Sequence, residues 1–184
     1  NEYYYRMLPQ VKGIKREIIV MRAQRNAYDA ALAVSGADII EIGDADETLE
    51  MELEGSINEK TAAIAYFAST LYQRGSMKFE KVMEIAKKYK IILLLKGKNT
   101  LINDGDKIYI NSTGNSHMAN GGMGDSLTGI ISAFIGQHYS LIESANIGTY
   151  LHGYIADELL NDQYIINASH IIENISKYIK EIFK

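Results

Sequence analysis

The chain has 184 residues, 47% of them hydrophobic, and a formal net charge of −4; that suits one globular domain, or one domain and a fragment, and provides no global basic field for nucleic acid. It contains no cysteine, which excludes disulfides and thiolate metal sites and makes the cytoplasm the expected compartment. No apolar run approaches the roughly 20 residues of a membrane span, and the first residues, NEYYYRMLPQVKG, lack the apolar core of a signal peptide.

Taken in order, the apolar run Ile18-Ile19-Val20-Met21 predicts a strand. Residues 28–34 predict a helix stopped by Ser35-Gly36. Residues 38–43 predict a second strand, 47–57 an acidic helix and 61–67 a third strand. Residues 78–89 predict a helix with Phe79, Val82, Met83 and Ala86 inward, and 91–95, IILLL, a strong buried strand. Strand and helix in alternation argue a parallel α/β sheet. The pattern then changes. Leu101-Ile102 and Ile108-Tyr109-Ile110 flank Asn103-Asp104-Gly105-Asp106, a hairpin signal. Three helices follow, over 125–137, about 141–160 and about 169–183, the last with the stripe Ile171, Ile175, Ile179 and Ile182. There is no internal repeat, linker or low-complexity segment.

The glycines before the first of these helices organise the functional reading. Gly114, Gly121, Gly122 and Gly124 fall within eleven residues, and Asp125 follows at once. Leu127, Ile130, Ile131, Phe134 and Ile135 then recur on one helix face. Free N–H groups and the helix dipole make such an N-terminus an anion site, and glycine lets the backbone approach a phosphate closely. Two roles are open for Asp125: an N-cap, or a general base that takes a proton from a substrate hydroxyl while the helix end holds a phosphoryl group.

The run GGMGD followed by SLTGII resembles the signature of the NAD(P)H-hydrate dehydratases, nucleotide-using members of the ribokinase-like superfamily. Lys96-Gly97-Lys98-Asn99-Thr100, Tyr109-Ile110-Asn111, Thr113-Gly114-Asn115, Met118-Ala119 and Gly121-Gly122 match further segments of it, with Asn120 where the family has Thr. Leu151-His152-Gly153 and Asp157 resemble its later helix, with Ala156 in place of a glycine. The resemblance covers roughly residues 86–184. It implies the C-terminal part of a three-layer ribokinase-like parallel or mixed sheet. It also implies a repair reaction, in which ADP or ATP phosphorylates the hydroxyl of hydrated NAD(P)H and phosphate then leaves. Asp125 would be the base, and the N–H groups of Gly122, Met123 and Gly124 would steady the transferring phosphoryl group. Nucleotide contacts would come from Lys96, Gly97, Lys98, Asn99, Thr100, Thr113, Gly114, Asn115, Met118, Ala119, Gly121, Gly122, Met123 and Gly124. Mg²⁺ is expected with the nucleotide, though no dedicated ligand set stands out. A homo-oligomer is expected.

Residues 9–89 resemble something else, part of the large domain of selenocysteine synthase-like pyridoxal-phosphate (PLP) enzymes of fold-type I. The carrying residues include Leu8-Pro9, Gly13, Glu17-Ile18-Ile19-Val20, Arg25-Asn26, Tyr28-Asp29, Gly36-Ala37, Ile40-Glu41-Ile42-Gly43 and Lys60-Thr61-Ala62-Ala63-Ile64. Gln24 stands where that family has His. The resemblance implies a βαβ segment over 1–89 joined to a nucleotide-binding part over 90–184, with neither active site complete. The aspartate that pairs with the pyridine nitrogen and the Schiff-base lysine have no counterpart here. A lyase-like PLP fragment and a nucleotide-binding remnant without catalysis are the alternatives. His117 reads as an exposed loop histidine and His152 as a core one. The acids between Asp44 and Glu54 read as a solvated helix face.

Overall fold

A computed structural model describes residues 6, 7, 9, 13–27, 29–34, 36–67, 70–97 and 99–182. Tyr28 and Ser35, which bound the first expected helix, and Lys98 of the expected nucleotide loop lie outside them. The chain forms two compact units, Asn1–Ile85 and Ala86–Lys184.

The first unit is built on β1, Glu17–Met21, whose Ile19, Val20 and Met21 are buried. It lies between β2, Asp38–Ile42, and β3, Thr61–Ala65, and both pairings are parallel, with Ile19 opposite Ile40 on one side and Ile64 on the other. Parallel neighbours need crossover connections, supplied here by α1, Asp29–Val34, and α2, Glu50–Ser56. The helix α2 starts later than the acidic pattern predicts. Asp44 accepts the backbone N–H groups of Asp46 and Glu47, at 2.7 and 2.9 Å, and this turn keeps 44–47 outside the helix. Past β3 the chain is held by Gln24. Fully buried, it accepts the N–H of Phe67 at 2.8 Å and donates to its carbonyl at 3.4 Å. The helix α3, Phe79–Lys88, runs across the boundary between the units.

The second unit opens with a departure from expectation. Residues 91–95 are not a long buried strand. Lys90 takes positive φ (54°), and the N–H of Ile91 bonds back to the carbonyl of Ala86 at 2.8 Å, so these residues close α3. Only Leu93–Leu95 forms β4, each residue half-buried. It pairs antiparallel with β5, Leu101–Asn103, which pairs antiparallel with β6, Ile108–Ile110, the expected hairpin. Among the described residues the parallel alternation therefore ends at β3. The helices α4, Met123–Gly136, α5, Leu141–Leu159, and α6, Ala168–Ile182, enclose a core of Ile130, Phe134, Leu151, Ile155, Ile166 and Ile171. On α6, Tyr178 takes the inward place and Ile182 is exposed. Among the described residues no helix is long and apolar enough to cross a membrane.

Candidate functional site

The second unit brings three of the expected segments onto its helices. Residues 96–100 follow β4, residues 111–115 follow β6, and residues 116–125 lead into α4.

The 96–100 loop is closed by Thr100. It is buried, its hydroxyl donates to Gly97 O at 3.2 Å, and its carbonyl accepts Asn111 N–H at 2.9 Å. Thr100 is thus committed to shaping the loop, whereas Lys96, Gly97 and Asn99 are exposed.

The 111–115 turn is fastened to α5. The hydroxyl of Thr113 reaches Tyr150 O at 2.9 Å. Asp157 takes the Gly114 N–H on one oxygen and the Asn115 amide on the other, both at 2.8 Å. Gly114 sits at φ +98°, a conformation glycine adopts without strain. Opposite, a side chain at Gly153 would place Cβ 2.6 Å from the backbone carbon of Thr113. The glycine after His152 is therefore what lets α5 approach the turn. Asn115 Oδ1 in turn accepts the N–H of His117 at 3.0 Å and starts a short 3-10 turn, Ser116–Met118. His117 is half-buried with its ring edge-on to Tyr164, so it is not the exposed loop histidine expected. Asn120, standing where the resembling family has Thr, donates to His117 O at 3.0 Å and Ile166 O at 2.9 Å.

The helix α4 then begins two residues before the pattern predicts. Its cap is Gly122 at φ +82°, with no side-chain hydrogen bond. Asp125 is therefore not the N-cap; it is the third residue of the first turn. The first intrahelical acceptor, Gly122 O, is taken by Ser126 N–H at 3.0 Å. The N–H groups of Met123, Gly124 and Asp125 precede it and have no partner within the helix. Over this end lies an exposed ammonium: a Cβ on Gly124 would sit 2.9 Å from Lys96 Nζ. A cation held against the positive end of a helix dipole is unfavourable by itself, and an anion between them reverses the sign. Asp125 is exposed beside them.

Behind this end sits a pair that sequence reasoning does not assemble. His152 is 6% exposed, and its Nε2 lies 3.0 Å from Ser126 Oγ. Ser126 Oγ donates to Met123 O at 3.0 Å, so the imidazole donates to Ser126 through Nε2–H. Burial, and then the charge of Lys96, push the His152 pKa down to about 4, against an opposing hydrogen bond to Met123 O. His152 is thus a neutral strut under the first turn of α4, as its reading as a core histidine anticipates. The signal for Ser126 was its place directly after Asp125. A cleft of about 500 Å³ runs from Gly122 and Asp125 between α4 and α6, walled by Ile130, Phe134, Ile172 and Ile175. Among the described residues no group of three His, Asp or Glu could hold a metal ion.

The NAD(P)H-hydrate dehydratase family matches residues 63–177. The match begins within β3 and takes in α3, well before residue 86, and so includes part of the stretch for which a PLP-enzyme fragment is the expectation; that expectation gains no support from it. The bifunctional NAD(P)H-hydrate repair enzyme of Vibrio cholerae is 41% identical over 80 residues, 44% of this chain and 16% of that one. The ADP-dependent (S)-NAD(P)H-hydrate dehydratase of Staphylococcus aureus is 33% identical over 104 residues, 56% of this chain and 38% of that one. The chain thus spans well under half the length of these relatives. Among solved structures, the ADP/ATP-dependent NAD(P)H-hydrate dehydratase of Bacillus subtilis, co-crystallised with ATP/Mg²⁺, has a TM-score of 0.58 at 21% identity, covering 99% of this chain and 70% of that one. A ribokinase-like superfamily protein of Enterococcus faecalis has a TM-score of 0.51 at 18% identity, covering 92% and 89%. At these identities the structures speak for the fold, ribokinase-like α/β.

Proposed function

The chain belongs to the NAD(P)H-hydrate dehydratase family, and on that premise we propose that it takes part in nucleotide-dependent repair of hydrated NAD(P)H. The observation that carries the reading is the first turn of α4: three N–H groups without helical partners, the Lys96 ammonium against them, and the exposed carboxylate of Asp125. An anionic phosphoryl group satisfies the N–H groups and the ammonium together.

In this reading ADP or ATP lies along Lys96, Gly97, Lys98 and Asn99, on the loop that Thr100 closes, and along the 113–124 segment. The terminal phosphoryl group passes to the hydroxyl oxygen of the hydrated nicotinamide ring. Asp125 takes the hydroxyl proton, and the N–H groups of Gly122, Met123 and Gly124 face the charge on the transferring group. The new C–O–P link then breaks at carbon. Phosphate leaves, a proton is lost from the neighbouring carbon, and the ring double bond returns. Mg²⁺ would neutralise phosphate charge. The acids here build no cage for it: both Asp157 oxygens are engaged by Gly114 and Asn115, and no step is assigned to the ion. We further take the protein to be a cytoplasmic homo-oligomer, tested by sedimentation.

The reading is tested by calorimetric titration with ADP and with ATP, followed by an assay for NAD(P)H regeneration from its hydrate. Binding with turnover is expected, and absence of nucleotide binding removes the proposal. A second reading, a nucleotide-binding remnant without catalysis, draws on the small share of its relatives that the chain spans; it predicts binding without turnover. A third takes residues 9–89 as a lyase-like PLP fragment. It predicts an absorbance band near the visible edge on adding PLP.

A further inference from the structure

We propose that Asp157 is a positioning residue for nucleotide binding, acting through the turn at Thr113, Gly114 and Asn115; this rests on the nucleotide reading above. The helix α5 meets the turn at three places on one face. Tyr150 offers its carbonyl to Thr113, Gly153 leaves the room, and Asp157 takes Gly114 N–H and the Asn115 amide. The two contacts of Asn115 fix one another. Its Oδ1 is taken by His117 N–H, so its NH₂ must face the carboxylate. Asp157 thus sets Gly114 at its positive φ and orients the side chain that starts the path to Gly122.

A carboxylate next to a nucleotide-binding turn can act in two ways, and they have opposite signs. As a bystander it repels phosphate, so its removal leaves ADP affinity unchanged or raises it. As the fastener of the turn, its removal frees Gly114 and Asn115 and lowers affinity. Charge-assisted hydrogen bonds are worth enough that losing both should weaken ADP binding about tenfold or more.

The experiment uses the whole chain with Asp157→Ala and Asp157→Asn, each held well below its melting temperature. Asn removes the charge but keeps one acceptor, so a fastening role predicts an affinity between wild type and Ala. The rate at saturating ADP should change by less than about threefold, because the effect falls on binding rather than on Asp125. Exchange of the Gly114 amide hydrogen, read without ligand, should quicken in Asp157→Ala. Equal or tighter ADP binding by Asp157→Ala overturns the inference, and so does unchanged Gly114 exchange. If the wild type binds no ADP, the nucleotide reading fails and the ligand role of Asp157 with it. In that case the Gly114 exchange still decides whether Asp157 fixes the turn.

Discussion

His152 Nε2 donates to Ser126 Oγ at 3.0 Å, tying α5 to the residue that follows Asp125. That bond is open to either charge state of the ring; what keeps the imidazole neutral is burial together with Lys96, which push its pKa down to about 4. In the unfolded chain the value returns to about 6.5. A depressed folded pKa means that the unfolded state binds more protons between these values. Stability from this group is therefore complete above about pH 6.5 and is lost as pH falls towards 4. Between pH 7 and pH 5 the loss should be about 2 kcal/mol. Melting curves at the two pH values check it. His152→Gln should start less stable and show a smaller difference between them, and an equal difference would release His152 from the effect.

The position of Asp125 changes what its substitution tests. As the third residue of α4 it offers a charge to the helix dipole rather than a cap. Asp125→Asn should cost about 0.3–1 kcal/mol in stability. As a base, the loss of proton acceptance should cut turnover by roughly 10²–10⁴-fold. ADP affinity should hold or rise, since a negative charge near phosphate is gone. Wild-type turnover in this variant would take Asp125 out of the mechanism.

Two neighbouring glycines separate folding from binding. Gly122 sits at φ +82°, and a Cβ there would lie 3.3 Å from Ala168 Cβ. Gly122→Ala should thus lose about 1–2 kcal/mol of stability through backbone strain alone, and weaker ADP binding by it is ambiguous. Around Gly121 nothing lies within 4 Å of such a Cβ, and its φ is not positive. Gly121→Ala should stay within about 0.5 kcal/mol of wild type. If phosphate approaches the backbone there, the added methyl should weaken ADP binding about fivefold or more, near 1 kcal/mol. Unchanged affinity would place the phosphate away from Gly121.

Periodicity and turn chemistry were legible where they act locally. The hairpin at 101–110 follows from its turn: Asp104 accepts the N–H groups of Asp106 and Lys107, and Gly105 takes φ +97°. The three strands of the first unit followed from apolar runs between helical patterns. The start of α4 did not, because side-chain capping favours Asp at the cap while the chain uses a glycine in the left-handed region. The strand at 91–95 is shorter than its apolar composition predicts, because composition cannot show that Ile91 N–H is taken by Ala86. The grip of Asp157 on Gly114 and Asn115 spans more than forty residues. No local period encodes that distance. Only the resemblance pointed at Asp157, without a role.

Lys96 offers the last test, because it acts on two observables at once. Its charge is the second cause of the low His152 pKa, after burial. Lys96→Gln removes the charge and keeps much of the side chain's length. The His152 pKa, followed by NMR of the ring proton between pH 4 and 7, should therefore rise above about 4. It should stay below the ordinary value, since burial remains. The same variant loses the ammonium over Gly124, and ADP binding should weaken about tenfold to a hundredfold, the worth of one charged hydrogen bond. A shifted His152 with unchanged ADP affinity would show that the lysine sits at the helix end without contacting the nucleotide. The phosphoryl site would then rest on the N–H groups of the first turn alone.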